Sequence, residues 1–162
     1  MIKNDVLTAQ EIIEKLQLLP HPEGGYYKET YRSALELNSP QNDEVRNAMT
    51  DIYFLLCKGQ VSRLHKVLHE ELWNFYAGAP LELIELDAET LEEKIVVLGQ
   101  GLNFKHCIQA NNWQAARSTG DYTLVGCTVA PGFDFADFSF LSDTEVLTEK
   151  LSAKSPELIK FI

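Results

Sequence analysis

Gly59-Gln60-Val61-Ser62-Arg63-Leu64-His65-Lys66-Val67-Leu68-His69-Glu70-Glu71-Leu72-Trp73-Asn74-Phe75-Tyr76-Ala77-Gly78 is the stretch whose reading decides the fold. On a helix, His65 and His69 would lie one turn apart and share a metal with Glu70 or Glu71. The order matches neither His-Glu-x-x-His nor its inverse. On strands, Glu71, Trp73 and Phe75 share one face, and Arg63, His65 and Val67 share another. The flanks alternate as strands do, so the strand reading is preferred. Two hairpin-linked arms then project His65 and Glu71 into one cavity.

The rest of the chain agrees. Residues 26–33, 51–57, 61–66, 71–77, 81–87, 95–98, 104–109 and 122–130 are short and rich in β-branched and aromatic side chains. Gly59, Gly78-Ala79-Pro80, Gly99, Gly101 and Gly120 punctuate them. Many short strands with no helices between them predict an antiparallel sandwich or barrel, not a parallel α/β sheet. Before them, Thr8-Ala9-Gln10-Glu11 spells a capping box, and Ile12, Ile13, Leu16 and Leu19 recur at helical spacing up to Pro20. Residues 38–47 are polar and read as an exposed loop. From Ser142 onward the pattern is helical, in two pieces split at Pro156. One domain is expected: an N-terminal helix over 1–20, a β-barrel over 21–141 and a helical tail over 142–162.

With 162 residues, the chain suits a single domain that needs no staple. Its 14 Lys and Arg against 24 Asp and Glu give a net charge of −10, with no basic run, which argues against nucleic acid and anionic membranes as partners. The longest apolar run, residues 52–57, is far short of a membrane span. Met1-Ile2-Lys3-Asn4-Asp5 leads into a polar helix and not into a signal-peptide core. Cys57, Cys107 and Cys127 are odd in number, widely spaced and set in apolar stretches, so they read as reduced core thiols. A cytoplasmic location is expected.

Gly59, five residues, His65, one residue, Val67, three residues, Glu71, six residues, Gly78: this spacing resembles the first motif of the cupin superfamily, with Val67 where a second His is usual. The blocks His21-Pro22-Glu23-Gly24-Gly25-Tyr26-Tyr27, Ser62-Arg63-Leu64-His65, Glu71-Leu72-Trp73, Trp113-Gln114-Ala115-Ala116 and Ala130-Pro131-Gly132-Phe133-Asp134-Phe135 occur in this order. Together they resemble the Cupin_5 subfamily, from Leu18 to about Phe140. The resemblance implies a double-stranded β-helix, the jelly-roll barrel, usually a homodimer, with an internal pocket. Aligned through Trp113, the second cupin motif's His falls on Gln114. This chain also has Gln109 and Asn111 where the subfamily usually has Pro and Gly, and Asn74 where it commonly has His.

The implied metal set is therefore His65, Glu71 and the amide oxygen of Gln114, a weak combination suited to a hard, hydrated divalent ion if to any. Without metal, a His beside a carboxylate in a dry pocket exchanges protons near neutral pH. Metal-free sugar-nucleotide epimerases of the superfamily supply the analogy. The expectation is a small polar metabolite, carbohydrate-like or nucleotide-sugar-like, isomerised with His65 as base and Glu71 as its partner or as acid. Gln114 would orient the substrate. Trp73, Tyr53 and Tyr122 would wall the pocket, and Arg63, on the His65 face, would meet an anionic group or an acidic partner. The alternatives are a metal-assisted version of the same site and a non-catalytic ligand-binding or regulatory module. His69 and His106 are expected to be structural, and His21 to form a turn or border the pocket mouth. Phe75 is expected to fill the core.

Overall fold

The computed structural model describes residues 6–162. The first five residues, read above as the start of a polar helix, lie outside them. Helix α1 spans Ala9–Leu16, and its capping box forms as the sequence predicts. The Thr8 hydroxyl accepts from the Glu11 amide at 3.3 Å, and the Glu11 carboxylate accepts from the Thr8 amide at 2.8 Å. The chain then builds β1 (Leu19–Pro20), β2 (Tyr26–Arg32), the short pair β3 (Glu36–Asn38) and β4 (Val45–Asn47), and β5 (Thr50–Cys57). Strands β6 (Val61–Lys66), β7 (Glu70–Gly78), β8 (Leu81–Leu86) and β9 (Glu93–Leu98) follow. Next come β10 (Lys105–Ile108), β11 (Trp113–Ser118), β12 (Tyr122–Ala130) and β13 (Ser139–Phe140). Helix α2 (Glu145–Lys154) and a 3-10 turn over Pro156–Phe161 end the chain.

Two antiparallel sheets enclose the interior, in the orders β1-β2-β5-β12-β7-β10 and β13-β6-β11-β8-β9. This is the jelly-roll barrel. Alternation along each strand sends one side chain in two between the sheets. Phe54, Leu56, Trp73, Val125 and Cys127 meet Leu81, Leu83, Leu98 and Ala116 there. On the other face of the five-stranded sheet, Leu64, Ile84, Leu86 and Trp113 pack under Leu151, Leu158 and Phe161 of the tail. Each such burial contributes about 1.5–3 kcal/mol, which explains why the tail is helical and docked although its own pattern is modest. Helix α1 likewise sets Ile12 against Leu55 and Tyr122 on the outside of the six-stranded sheet.

Three expectations need correction. Residues 38–47 are not a plain loop but include β4 and the last residue of β3, Asn38, which pairs with Val45. Residues 113–118 form a strand in the middle of a sheet, although Ala115, Ala116 and Arg117 have little intrinsic strand preference. And β6 and β7 are not the arms of one hairpin. They belong to opposite sheets, and residues 67–69 carry the chain round the corner between them. His69 is buried at that corner, its Nε2 2.7 Å from the Ser39 hydroxyl.

Candidate functional site

One end of the barrel encloses a cavity of about 440 Å³ whose lining includes His21, Glu23, Tyr27, His65, Val67, Glu71, Cys127, Phe133, Phe135 and Phe138. Because β6 and β7 lie on opposite sheets, His65 and Glu71 reach it from opposite walls. His65 is 2 % exposed and Glu71 7 %.

The β6 backbone decides which side chains enter. Against β11, Gln114 pairs with His65 but Ala116 pairs with Ser62, so two residues, Arg63 and Leu64, face one, Ala115. This bulge breaks the alternation and puts Ser62 and His65 on the same side. Arg63, expected on the His65 face, is turned away. Its guanidinium lies 4.0 Å from the centre of the Phe140 ring and donates to the Pro22 carbonyl at 3.3 Å.

What meets His65 is Glu23, a residue the sequence reading passed over. Its Oε2 is 2.9 Å from His65 Nε2, and its Oε1 accepts from the Ser62 hydroxyl at 2.9 Å. Glu23 reaches β6 because the following turn packs tightly on it. Gly24 has φ +109°, and a Cβ there would collide with the Val61 carbonyl. The Arg63 amide donates to the Glu23 carbonyl at 2.8 Å, tying turn and bulge together.

Both His65 nitrogens face acceptors, since Nδ1 also lies 2.7 Å from the Arg63 carbonyl. The carbonyl only accepts, so Nδ1 carries a proton, and the carboxylate beside Nε2 favours a second proton there and thus the charged ring. Burial opposes that charge, but the Glu23 carboxylate outweighs it and raises the His65 pKa. Burial likewise opposes the Glu23 charge, and the imidazolium outweighs it and lowers the Glu23 pKa. The ring stacks on Phe138 at 5.2 Å between centroids, and its pairing with Glu23 favours a held positive charge over the role of base expected for it.

Glu71 behaves differently. Burial, helped by Glu23 and opposed by His65 and Gln114, pushes its pKa up to about 7. The Gln114 amide donates to Oε2, and the Trp73 indole donates to the Gln114 carbonyl oxygen at 2.8 Å. Gln114 and Trp73 are buried at 0 % and 1 % exposure and lie behind Glu71, outside the cavity lining. The expected substrate contact by Gln114 and the expected wall by Trp73 give way to a support for Glu71.

Tyr53 and Tyr122, expected as pocket walls, face a separate groove between α1 and the six-stranded sheet. The aromatic wall comes instead from Tyr27, Phe133, Phe135 and Phe138. His106 donates to or accepts from nothing in the cavity and pairs with Glu85 at 2.7 Å. Phe75 packs against the barrel core as expected.

The donor set does not fit a metal at His65, Glu71 and Gln114. The Gln114 oxygen is taken by the Trp73 indole, and His65 Nε2 is paired with the Glu23 carboxylate. Among the described residues, no three His, Cys, Asp or Glu side chains are grouped to hold an ion. Nor, among the described residues, is any helix long and apolar enough to cross a membrane.

Among solved structures, a hypothetical protein from Leishmania major is 30% identical, with a TM-score of 0.85 over 95% of this chain and 97% of that one. A protein from Shewanella oneidensis is 31% identical, with a TM-score of 0.79 over 95% and 94%. An uncharacterized protein of Saccharomyces cerevisiae is 26% identical over 96% of this chain and 86% of its own length. The model of the Cupin_5 family, described as cupin superfamily (DUF985), matches residues 10–141, and the chain belongs to that family.

Proposed function

We propose that the protein binds a small polar metabolite, carbohydrate-like and either free or carried on a nucleotide, and isomerises or epimerises it by moving a proton. Glu71 is the exchanging group and His65 the fixed charge beside it. One arrangement carries this reading: the buried Glu71 carboxyl, whose pKa burial pushes up to about 7, lines the same aromatic cavity as His65 in its pair with Glu23. A carboxyl poised near the working pH is present in both protonation states, so it can take a proton from carbon and return it. The imidazolium favours the negative charge that develops on the ligand in between. The aromatic rings supply faces for the apolar side of a sugar.

The test is a panel of sugars and nucleotide sugars incubated with the protein in heavy water, with carbon-bound deuterium read by NMR. Wild-type protein should label at least one compound, and Glu71→Gln should still bind it but label it at least 10²-fold more slowly. Binding without labelling by the wild type would contradict catalysis and leave a ligand-binding module.

A further inference from the structure

His21 opens the His-Pro-Glu-Gly-Gly block and lines the cavity with a side chain only 7 % exposed. Its Nδ1 accepts a hydrogen bond from the Glu23 amide at 3.1 Å. An amide only donates, so Nδ1 carries no proton and the neutral ring must carry its proton on Nε2. Burial works in the same direction by disfavouring the imidazolium. Nε2 has no hydrogen-bond partner among the described residues, yet no buried side-chain polar atom among them is left both sealed and unpaired. The Nε2–H is therefore a donor that is neither paired nor sealed, on a ring that lines the cavity. The ring is locked edge-on to Tyr27, 4.6 Å between centroids, and flanked by Phe54, Phe135 and Phe138. A donor held this rigidly in an apolar wall costs no reorganisation when an acceptor arrives.

The cations at the cavity edge already have hydrogen-bond partners. Arg32 donates to both Glu29 oxygens, to Asn47 and to the Phe133 carbonyl. Lys28 donates to Gln17 at 3.1 Å. His65 is ion-paired with Glu23. Lys28 is the one lining cation without a carboxylate partner among the described residues, and it is exposed at the rim; no buried lining residue offers an unpaired positive charge to a phosphate, whereas the His21 donor and the Glu71 carboxyl stand ready for a carbonyl compound.

Resting on the proton-transfer reading above, we infer that His21 is a catalytic residue whose Nε2–H binds the carbonyl oxygen of an unphosphorylated aldose, ketose or similar hydroxycarbonyl compound. The ionised form of Glu71 removes the proton from the carbon next to that carbonyl. The C–H electron pair becomes the new C=C bond, and the carbonyl π pair moves to oxygen, giving an enolate held by the His21 N–H. After the proton on the neighbouring hydroxyl moves to the enolate oxygen, the protonated Glu71 returns its proton to the former carbonyl carbon on the same face, giving the isomeric hydroxycarbonyl compound; return to the original carbon regenerates the starting sugar with solvent-derived label. No oxidant or metal enters, and His21 keeps its proton throughout.

The experiment uses the full-length protein with unphosphorylated three- to six-carbon aldoses and ketoses and their phosphate esters, in heavy water. Three variants are compared: Glu71→Gln, His21→Asn, which can keep an acceptor for the Glu23 amide but loses the cavity donor, and His21→Gln, which keeps a cavity donor. The expected results are labelling of unphosphorylated sugars in preference to their esters and a rate about 10²-fold lower in His21→Asn. His21→Gln should be impaired less, and the infrared carbonyl band of the bound sugar should shift to lower frequency in the wild type but not in His21→Asn. Labelling lost in Glu71→Gln but unchanged in both His21 variants overturns the role of His21 and leaves proton transfer standing. Preference for the phosphate esters overturns the substrate class. No labelling of any compound by the wild type overturns both readings. If His21→Asn does not fold, as judged by its melting transition, His21→Gln and the wild-type carbonyl band decide the matter alone, an unshifted band counting against the donor.

Discussion

The Nε2 atom of His65 stands 2.9 Å from Oε2 of Glu23, although strands β2 to β5 lie between them in the chain. Removing one partner leaves the other charge buried alone. Glu23→Ala should therefore cost about 3–5 kcal/mol in urea denaturation. A double-mutant cycle with His65→Ala should show a coupling of about 1–3 kcal/mol. Additive losses would mean that the pair does not interact.

The same pair fixes a pH window. His65 has a raised pKa, so its contribution is complete below the ordinary histidine value and lost as pH climbs through the raised one. Glu23 has a lowered pKa, so its contribution is complete above the ordinary carboxylate range and lost as pH falls through the lowered value. Nitrogen-15 NMR at neutral pH should find protons on both His65 nitrogens in the wild type. In Glu23→Gln, the ring should lose one of them at a lower pH than in the wild type.

Glu71 runs the other way. Its folded pKa of about 7 lies above the unfolded value, so the native state binds the extra proton and stability falls as pH rises from the usual carboxylate range to about 7. The penalty above that point is on the order of 3 kcal/mol. Glu71→Gln imitates the neutral carboxyl. It should melt close to the wild type at pH 5 and clearly above it at pH 8. Equal melting temperatures at both pH values would show that Glu71 titrates normally.

Trp73→Phe keeps the ring in the barrel core but deletes the indole N–H that holds Gln114. The Gln114 oxygen is then buried without a partner, at a cost of about 1–3 kcal/mol by chemical denaturation. Because Gln114 in turn donates to Glu71, an altered Glu71 titration should accompany the loss. Destabilisation with an unchanged Glu71 titration would confine Trp73 to packing.

Gly24→Ala tests the turn that delivers Glu23. The added methyl meets the Val61 carbonyl at a backbone angle that side chains resist. The variant should lose several kcal/mol, and its His65 should titrate lower than in the wild type as Glu23 is displaced. A normal His65 in a folded Gly24→Ala protein would show that the turn does not position the pair.

The barrel, the N-terminal capping box and the cavity placement of His65 and Glu71 were legible because they depend on local pattern: strand alternation, Thr8 with Glu11, and the spacing from Gly59 to Gly78. What the pattern missed depends on events it does not encode. Alternation assumes an unbroken strand, so the bulge at Arg63 and Leu64 turned Arg63 off the face predicted for it and put Ser62 beside His65. Residues 67–69 read as a hairpin turn, while in space they turn a corner between sheets. Glu23 carried no signal of its own, since a glutamate before two glycines reads as a solvated turn until β6 is packed against it. The strand over Trp113–Ser118 is imposed by β6 and β8 on either side rather than by its own residues.

Infrared titration of the side-chain carboxyl band, assigned by its disappearance in Glu71→Gln, tests the proposed centre most directly. A carboxyl that loses its proton with a midpoint at about pH 7 is the predicted result. A Glu71 that is already ionised at pH 5 would contradict it, since a carboxylate fixed in one state has no proton to exchange at neutral pH.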